Sequence, residues 1–320
     1  MTDDEVFRTL SDPLYSDIRS QDNFPAARPL LAHYTSWDAA EAILTNEQLW
    51  MSHPMAMNDT EELWWGIMSG AAAVRSSSEV REACGTDARY RRFQDCFDKQ
   101  FHEFEHDHAF DIFAFCFSKH DQRRHKDGLL SMWRGYGGFG KGVAIVFDTN
   151  AVVPNEESTL MLNKVIYASG SDRQYWIKQK VDHFAQTLAK LNPSDEQLYL
   201  ASYAILERVK LFALYSKHEG FREEREWRLV YLKQRDTKGL LSPMIGHHSA
   251  PSGVATKLKL DLKSVGRSMD LTLDRLIHSI ILGPGLASPL SVKATQVMLT
   301  RINKPHLIER LHRSSTPFRS

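Results

Sequence analysis

Three groups of residues have the types and spacing to do chemistry. His102-Glu103-Phe104-Glu105-His106 completes H-E-x-x-H, two imidazoles one helical turn apart with a glutamate between them, the arrangement by which zinc peptidases hold a metal and activate water. The chain has 14 His, enough for the pattern to arise by chance. Its flanks also place Glu105 and Asp107 where zinc peptidases keep uncharged residues, so the segment reads as a solvated acidic and imidazole-rich face and no metal is expected. Gly135 to Lys141 is glycine-rich, but Gly142 stands where a P-loop needs Ser or Thr, and the segment leads into a strand instead of a helix; it reads as a turn. The third group is dispersed. His33, Thr35 and Ser52 fall at the ends of two short extended segments, where polar groups can face a cleft, and Arg222-Glu223-Glu224-Arg225-Glu226 runs directly into the apolar Trp227 to Tyr231. That run is equally compatible with a surface charge cluster. No G-x-S-x-G elbow is present and no cysteine opens an electropositive helix, which leaves covalent nucleophilic catalysis without support.

The elements that must position these groups follow from periodicity. Leu31 to Thr35 reads as a strand, Ser36 as the N-cap of a helix carrying Ala39, Ala40, Ile43 and Leu44, and Leu49 to Ser52 as a second strand before Pro54. Residues 1–28 read as a loosely ordered N-terminal arm, and 29–320 as one elaborated domain. Asn58 and Asp59 lie in an expected turn, with Asp59 or Thr60 capping a helix that Ser76 to Ser78 end. Phe93, Phe97, Phe101 and Phe104 mark one stripe of a long helix over 79–108. Ile112 to Ser118 and Val143 to Phe147 are near-continuous apolar runs, as in strands covered on both faces. Leu129 to Tyr136 is a short helix, Leu160 to Tyr167 a strand, and two helices meet at Asn192-Pro193. Strands are expected at Trp227 to Tyr231, Leu258 to Leu262 and Ser279 to Leu282, an irregular segment at Gln234 to Gly253, and a closing helix from Pro289. Helices between strands without regular alternation predict an α+β fold.

Lysine plus arginine equals aspartate plus glutamate, 40 against 40, so global charge gives no sign of an obligate nucleic-acid partner. The start, MTDDEVFRTL, lacks the basic and apolar regions of a secretory signal, and no apolar run approaches the roughly 20 residues that span a bilayer; a soluble cytoplasmic protein without a membrane partner is expected. Cys84, Cys96 and Cys116 are odd in number with no C-x-x-C spacing, which predicts reduced, buried thiols.

The series LxHYTS, AxxIL, LWxSxPxxxND, FxFCFS, LxxMWxxY, KGVAIxFD, ExEWR and IxxIILGP, in that order from Leu31 to Gly285, resembles the bacterial domain-of-unknown-function family 2971. At a second level, the opening His-Tyr-Thr before a helix and the distant E-x-E-W are similar to the ADP-ribosyltransferase superfamily. That resemblance implies a split, mainly antiparallel sheet with helical insertions and a reaction in which NAD, as substrate, loses nicotinamide. ADP-ribose then passes to a macromolecular acceptor, protein or nucleic acid, or to water. Glu226 would stabilise positive charge developing on the ribose, and Glu224 would position the acceptor. His33, Tyr34 and Thr35 would bind the cofactor, with Ser52 on the second strand and Ser118 after FxFCF. Trp133 or Tyr136 would stack on nicotinamide. An effector in bacterial stress or antiviral defence is one setting for such chemistry. The alternative is a non-catalytic nucleotide or nucleic-acid binding module using Arg123, Arg124, His125 and Lys126 beside Trp133 and Tyr136; the third reading is the zinc peptidase.

Overall fold

The computed structural model describes residues 1–57, 60–155, 157–250, 253–269, 272–286 and 288–318. In chain order the elements are α1 (Asp3–Leu14), β1 (Leu30–Thr35), α2 (Trp37–Asn46), β2 (Gln48–Ser52), α3 (Thr60–Arg75), α4 (Ser78–Ala83), α5 (Asp87–Glu103), β3 (Ile112–His120), α6 (Leu130–Gly135), β4 (Val143–Asp148), β5 (Leu160–Lys164), β6 (Ile166–Ala168), α7 (Gly170–Leu191), α8 (Leu198–Tyr215), β7 (Ser216–His218), β8 (Glu226–Leu232), β9 (Ile245–Ala250), β10 (Gly253–Asp261), α9 (Leu262–Met269), α10 (Leu273–Leu276), β11 (Ile277–Leu282), α11 (Pro289–Arg301) and β12 (Leu311–Arg313). The fold is α+β with a mainly antiparallel main sheet, since β12 on β11 is its parallel pairing among those described. Among the described residues no helix is long and apolar enough to cross a membrane.

The sheet opens at β3. Along one edge β3 pairs with β8 from Ile112↔Leu232 to Ser118↔Glu226. Its other edge is shared: β1 pairs with it through Leu30, Leu31 and Ala32 opposite His120, Lys119 and Ser118, and β2 touches it at Ser52↔Ala114. Beyond Ala32, β1 stays with β4 through Thr35, while β2 runs its whole length against β10. The two limbs therefore diverge from β3, and α2 joins them across the gap. Ser36 caps α2 through its side chain, which accepts from the Ala39 amide, as the sequence predicts; the helix stops because Glu47 adopts a left-handed conformation (φ 55°).

Helices cover both faces. Ile112, Ala114, Val230 and Leu232 point to one side, into a core with α1, α3, α5, α7 and α8 that includes Phe93, Phe97, Phe101 and Phe104. Phe113, Phe115, Phe117, Trp227 and Tyr231 alternate to the other side, packing with Ala40, Ile43 and Leu44 of α2 and with Leu273, Leu276 and Leu299. A smaller cluster sets Trp133 of α6 against Tyr34, Ala144 and Ile281.

Several local expectations are corrected. Residues 1–28 are no loose arm, because α1 is fixed by a Thr2/Glu5 capping box and buries Val6, Leu10 and Leu14, each contributing about 1.5 to 3 kcal/mol. Asn23 Oδ1 accepts from the Lys164 amide and Arg208 donates to Asp17, which ties the segment to the rest of the fold. The long helix of 79–108 is broken at Gly85, whose φ of 79° a helix cannot hold, leaving α4 and α5. The strand expected over 160–167 divides into β5 and β6. The segment from Gln234 to Gly253 contains β9, an edge strand whose His247, His248 and Ser249 are all exposed; three exposed residues in a row carry no alternation to read. The short edge strand β12 and helices α9 and α10 were not expected. The turn and cap at Asn58 and Asp59 lie outside the described residues.

Candidate functional site

A cleft of about 730 Å³ occupies the divergence of the two limbs. Its walls come from His33 and Thr35 at the end of β1, Asp38, Ala39 and Ile43 of α2, Trp50 and Ser52 of β2, and Lys257 of β10. The floor is β3, exposed from both sides: Ala114 and Cys116 contribute from one face and Phe115 and Phe117 from the other. Tyr136, Lys217, Glu224, Glu226 and Arg228 close the far end. The volume lies within the range of small-ligand sites.

His33 spans the gap. Where β1 has left β3, the Cys116 carbonyl would lack a strand partner, and it accepts from His33 Nδ1 at 2.9 Å; the imidazole also lies against Phe115, ring centroids 4.1 Å apart. A carbonyl only accepts, so Nδ1 carries the proton and Nε2 is left as an acceptor. Burial lowers the His33 pKa to about 4, with the Cys116 hydrogen bond opposing it, and the ring is neutral at physiological pH.

Glu226 opens β8 and is buried, 6% exposed. Arg228, two residues on and therefore on the same face of the strand, grips it with Nε at 2.6 Å from Oε1 and Nη2 at 3.0 Å from Oε2, while its own Nη1 donates to the Leu214 carbonyl at 2.8 Å. Lys217 Nζ from β7 lies 3.4 Å from Glu226 Oε2 and 2.8 Å from Glu224 Oε2. Burial pushes the Glu226 carboxyl up, but Arg228 and then Lys217 outweigh it and hold it at about 2. The carboxylate is therefore ionised throughout the physiological range. The neighbouring Cys116 thiol is raised well above its usual value, first by burial and then by Glu226, and stays protonated.

Glu224 reaches the cleft by another route than the sequence suggested. It is not on β8: it ends a short 3-10 turn, and Arg225, at φ 48°, redirects the chain into the strand. Its Oε1 accepts from the Tyr136 hydroxyl at 2.8 Å. Burial and the Glu224 charge raise the Tyr136 phenol, which remains a donor.

Of the nine residues that the NAD reading singled out from sequence, His33, Tyr34, Thr35, Ser52, Tyr136, Glu224 and Glu226 line this one cleft. Two do not. Trp133 is fully buried, its indole N–H donating to the Asp127 carbonyl and its ring standing edge-on to Tyr34, so it has no free face for a ligand to stack on or for the basic loop at Arg123 to Lys126 to share. Ser118 is 1% exposed, opposite Glu226 in the β3–β8 register, with an Oγ that has no hydrogen-bond partner among the described residues. The Gly135 to Lys141 segment is a tight turn: the Gly142 amide donates to the Gly137 carbonyl, and a Cβ on Gly142 would collide with the Thr35 carbonyl at the cleft rim.

Arg228, Lys217 and Lys257 were missed. The first was available from E-W-R, where period two puts Glu and Arg on one face; the other two depend on how β7 and β10 dock, which no local pattern announces. At the H-E-x-x-H segment the helix widens into a π turn over 104–108, closed by the Ala109 amide donating to the Phe104 carbonyl. There His102 and His106 gather with Glu105, in place of the sequence-expected Glu103, on the outer surface.

Residues 132–229 match the family model described as protein of unknown function (DUF2971). The match runs from α6 to β8, taking in Tyr136, Lys217, Glu224, Glu226 and Arg228, and leaves the β1 and β2 limbs outside. No curated protein and no solved structure matches the chain.

Proposed function

We propose that this cleft cleaves the nicotinamide–ribose bond of NAD and passes ADP-ribose to a macromolecular acceptor or to water, on an ADP-ribosyltransferase-like core. The observation that supports this reading is the meeting of His33, Thr35, Ser52, Tyr136, Glu224 and Glu226, drawn from separate elements, at the point where two limbs of an antiparallel sheet part. Loss of nicotinamide leaves positive charge on the ribose, and an ionised carboxylate fixed in a partly dry cleft stabilises that charge without reorganising. Glu226 takes that role; Arg228 and Lys217 use three of its roughly four acceptor sites, and the fourth accepts from a sugar hydroxyl in place of the Cys116 thiol. Neutral His33 Nε2 accepts from a second hydroxyl, the Tyr136 ring offers the stacking surface, and Glu224 orients the acceptor.

A second reading is supported by one observation: both carboxylates are already paired with cations, which suits a module that binds nucleotide without turnover. Incubating pure protein with labelled NAD and cell lysate decides between them. Released nicotinamide with label in macromolecules supports transfer, and release without such label supports hydrolysis. Retention of NAD with no nicotinamide released would leave only the binding module. The proposed reaction uses no metal, and elemental analysis of protein purified without chelator is expected to give clearly sub-stoichiometric zinc. One zinc per chain, lost in His106→Ala, would restore the peptidase reading.

A further inference from the structure

We infer that Lys257 and Ser52 form the seat for a phosphate group of the ligand, at the opposite limb of the cleft from Glu226. The inference rests on the nucleotide reading of the same cleft and adds where its charge is held. At the β7–β8 end two carboxylates, Glu224 and Glu226, are matched by two cations, Lys217 and Arg228. Lys257 differs. It lies on β10 directly opposite Ser52, half-buried in the cleft wall, and its Nζ donates to Ser52 Oγ at 2.5 Å, with no ion pair to a carboxylate among the described residues. A hydroxyl that accepts from an ammonium has its own proton turned outward, so the pair presents two donors to the cleft, the remaining Nζ hydrogens and the Ser52 O–H. A partly desolvated cation without an anion is costly to the free protein, and burial alone lowers the Lys257 pKa. An anionic ligand group supplies the missing partner. Two residues before Ser52 on the same face of β2 stands Trp50, with the exposed His248 edge-on at 5.3 Å between centroids and the Lys259 ammonium 4.6 Å from its ring; Phe115 and Ile43 add apolar lining to the cleft from the other face. Cation, hydroxyl and flat apolar surface together fit a ligand carrying phosphate next to a ring, the composition of a nucleoside diphosphate.

The test is titration calorimetry with four probes, inorganic pyrophosphate, ADP-ribose, adenosine and nicotinamide, against the full chain and its Lys257→Met and Lys257→Arg variants. In Lys257→Met the two phosphate-bearing probes are expected to bind about tenfold or more weakly, as for loss of one charge-assisted hydrogen bond. Affinity for adenosine and nicotinamide should stay as in the parent, Lys257→Arg should recover most of the loss, and the melting temperature of Lys257→Met should hold or rise. Three results overturn the seat: phosphate-bearing probes that do not bind the parent, equal affinity in Lys257→Met, or loss of all four probes together with a lower melting temperature. Failure of the NAD-cleavage reading looks different, since pyrophosphate and ADP-ribose would still depend on Lys257 while the parent released no nicotinamide. Conversely, NAD cleavage with an unchanged KM in Lys257→Met would retain that reading and remove the seat.

Discussion

Glu226→Gln is expected to lower nicotinamide release per folded molecule by about a hundredfold or more, the scale of one preorganised electrostatic contact, and to cost about 3 to 5 kcal/mol of folding stability. Both effects come from one charge. Removing it takes the counterion from Arg228, whose guanidinium stays buried between a neutral amide and the Leu214 carbonyl, and leaves Lys217 with Glu224 alone. Turnover must therefore be normalised to native protein, measured by urea unfolding on the same sample. Replacing the pair together, Glu226→Leu with Arg228→Met, removes the unpaired cation and should restore much of the stability but none of the activity. If Glu226→Gln folded as well as the parent and cleaved NAD at the parent rate, the carboxylate would have neither role. The stability term also has a pH signature. Because the folded pKa is depressed from 4.5 to about 2, the stabilisation is fully present above 4.5 and is lost as pH falls toward 2.

What the sequence made legible was whatever is governed by local periodicity. The β1–α2–β2 stretch, the phenylalanine stripe of α5 and the apolar runs of β3 and β4 each announce their period and their cap, and each formed close to the expected residues. The failures have a shared cause. β9 exposes three residues in succession, α1 is decided by a capping box and three apolar residues four apart, and the break at Gly85 depends on a positive φ instead of a composition change. Within the cleft, His33, Ser52 and Glu226 were identifiable because each sits where a motif meets a strand, and Tyr136 and Glu224 because they stand in motifs that precede one, Tyr136 closing a short helix and Glu224 a 3-10 turn. Trp133 was misassigned because an indole reads the same in a core as in a cleft, and only its hydrogen bond to Asp127 and its contact with Tyr34 separate the two. Lys217 and Lys257 enter from strands whose register is set by tertiary pairing. Electrostatic matching across the cleft is thus a property of the assembled sheet, and that is why the neutralised end and the cationic end could not be told apart beforehand.

Acidification from pH 6.5 to 4 is expected to destabilise the protein through His33 by about 2 to 3 kcal/mol, and His33→Gln is expected to remove that part of the loss. The imidazole is held neutral, its pKa lowered from 6.5 to about 4 because protonation would put a charge against Phe115 and Phe117 with only the Cys116 carbonyl to favour it. Between those two values the unfolded chain binds a proton that the folded chain refuses, so stability rises with pH across the window and falls on acidification; above about 6.5 and below about 4 the group contributes no slope. Part of the ring faces the cleft and is reached by water, which keeps the loss below the full value of a sealed site. His120, His125 and His278 are also lowered, chiefly by burial, and act in the same sense, so the diagnostic quantity is the difference between the parent and His33→Gln, each unfolded in urea at pH 4, 5, 6 and 7. Glutamine keeps a donor for the Cys116 carbonyl while removing the titration, which separates the charge effect from loss of the bridge across the gap. The Glu226 window, below 4.5, barely overlaps. Parallel stability curves for the two proteins from pH 4 to 7 would show that His33 protonates as freely when folded as when unfolded, and the neutral acceptor assigned to its Nε2 would have to be withdrawn.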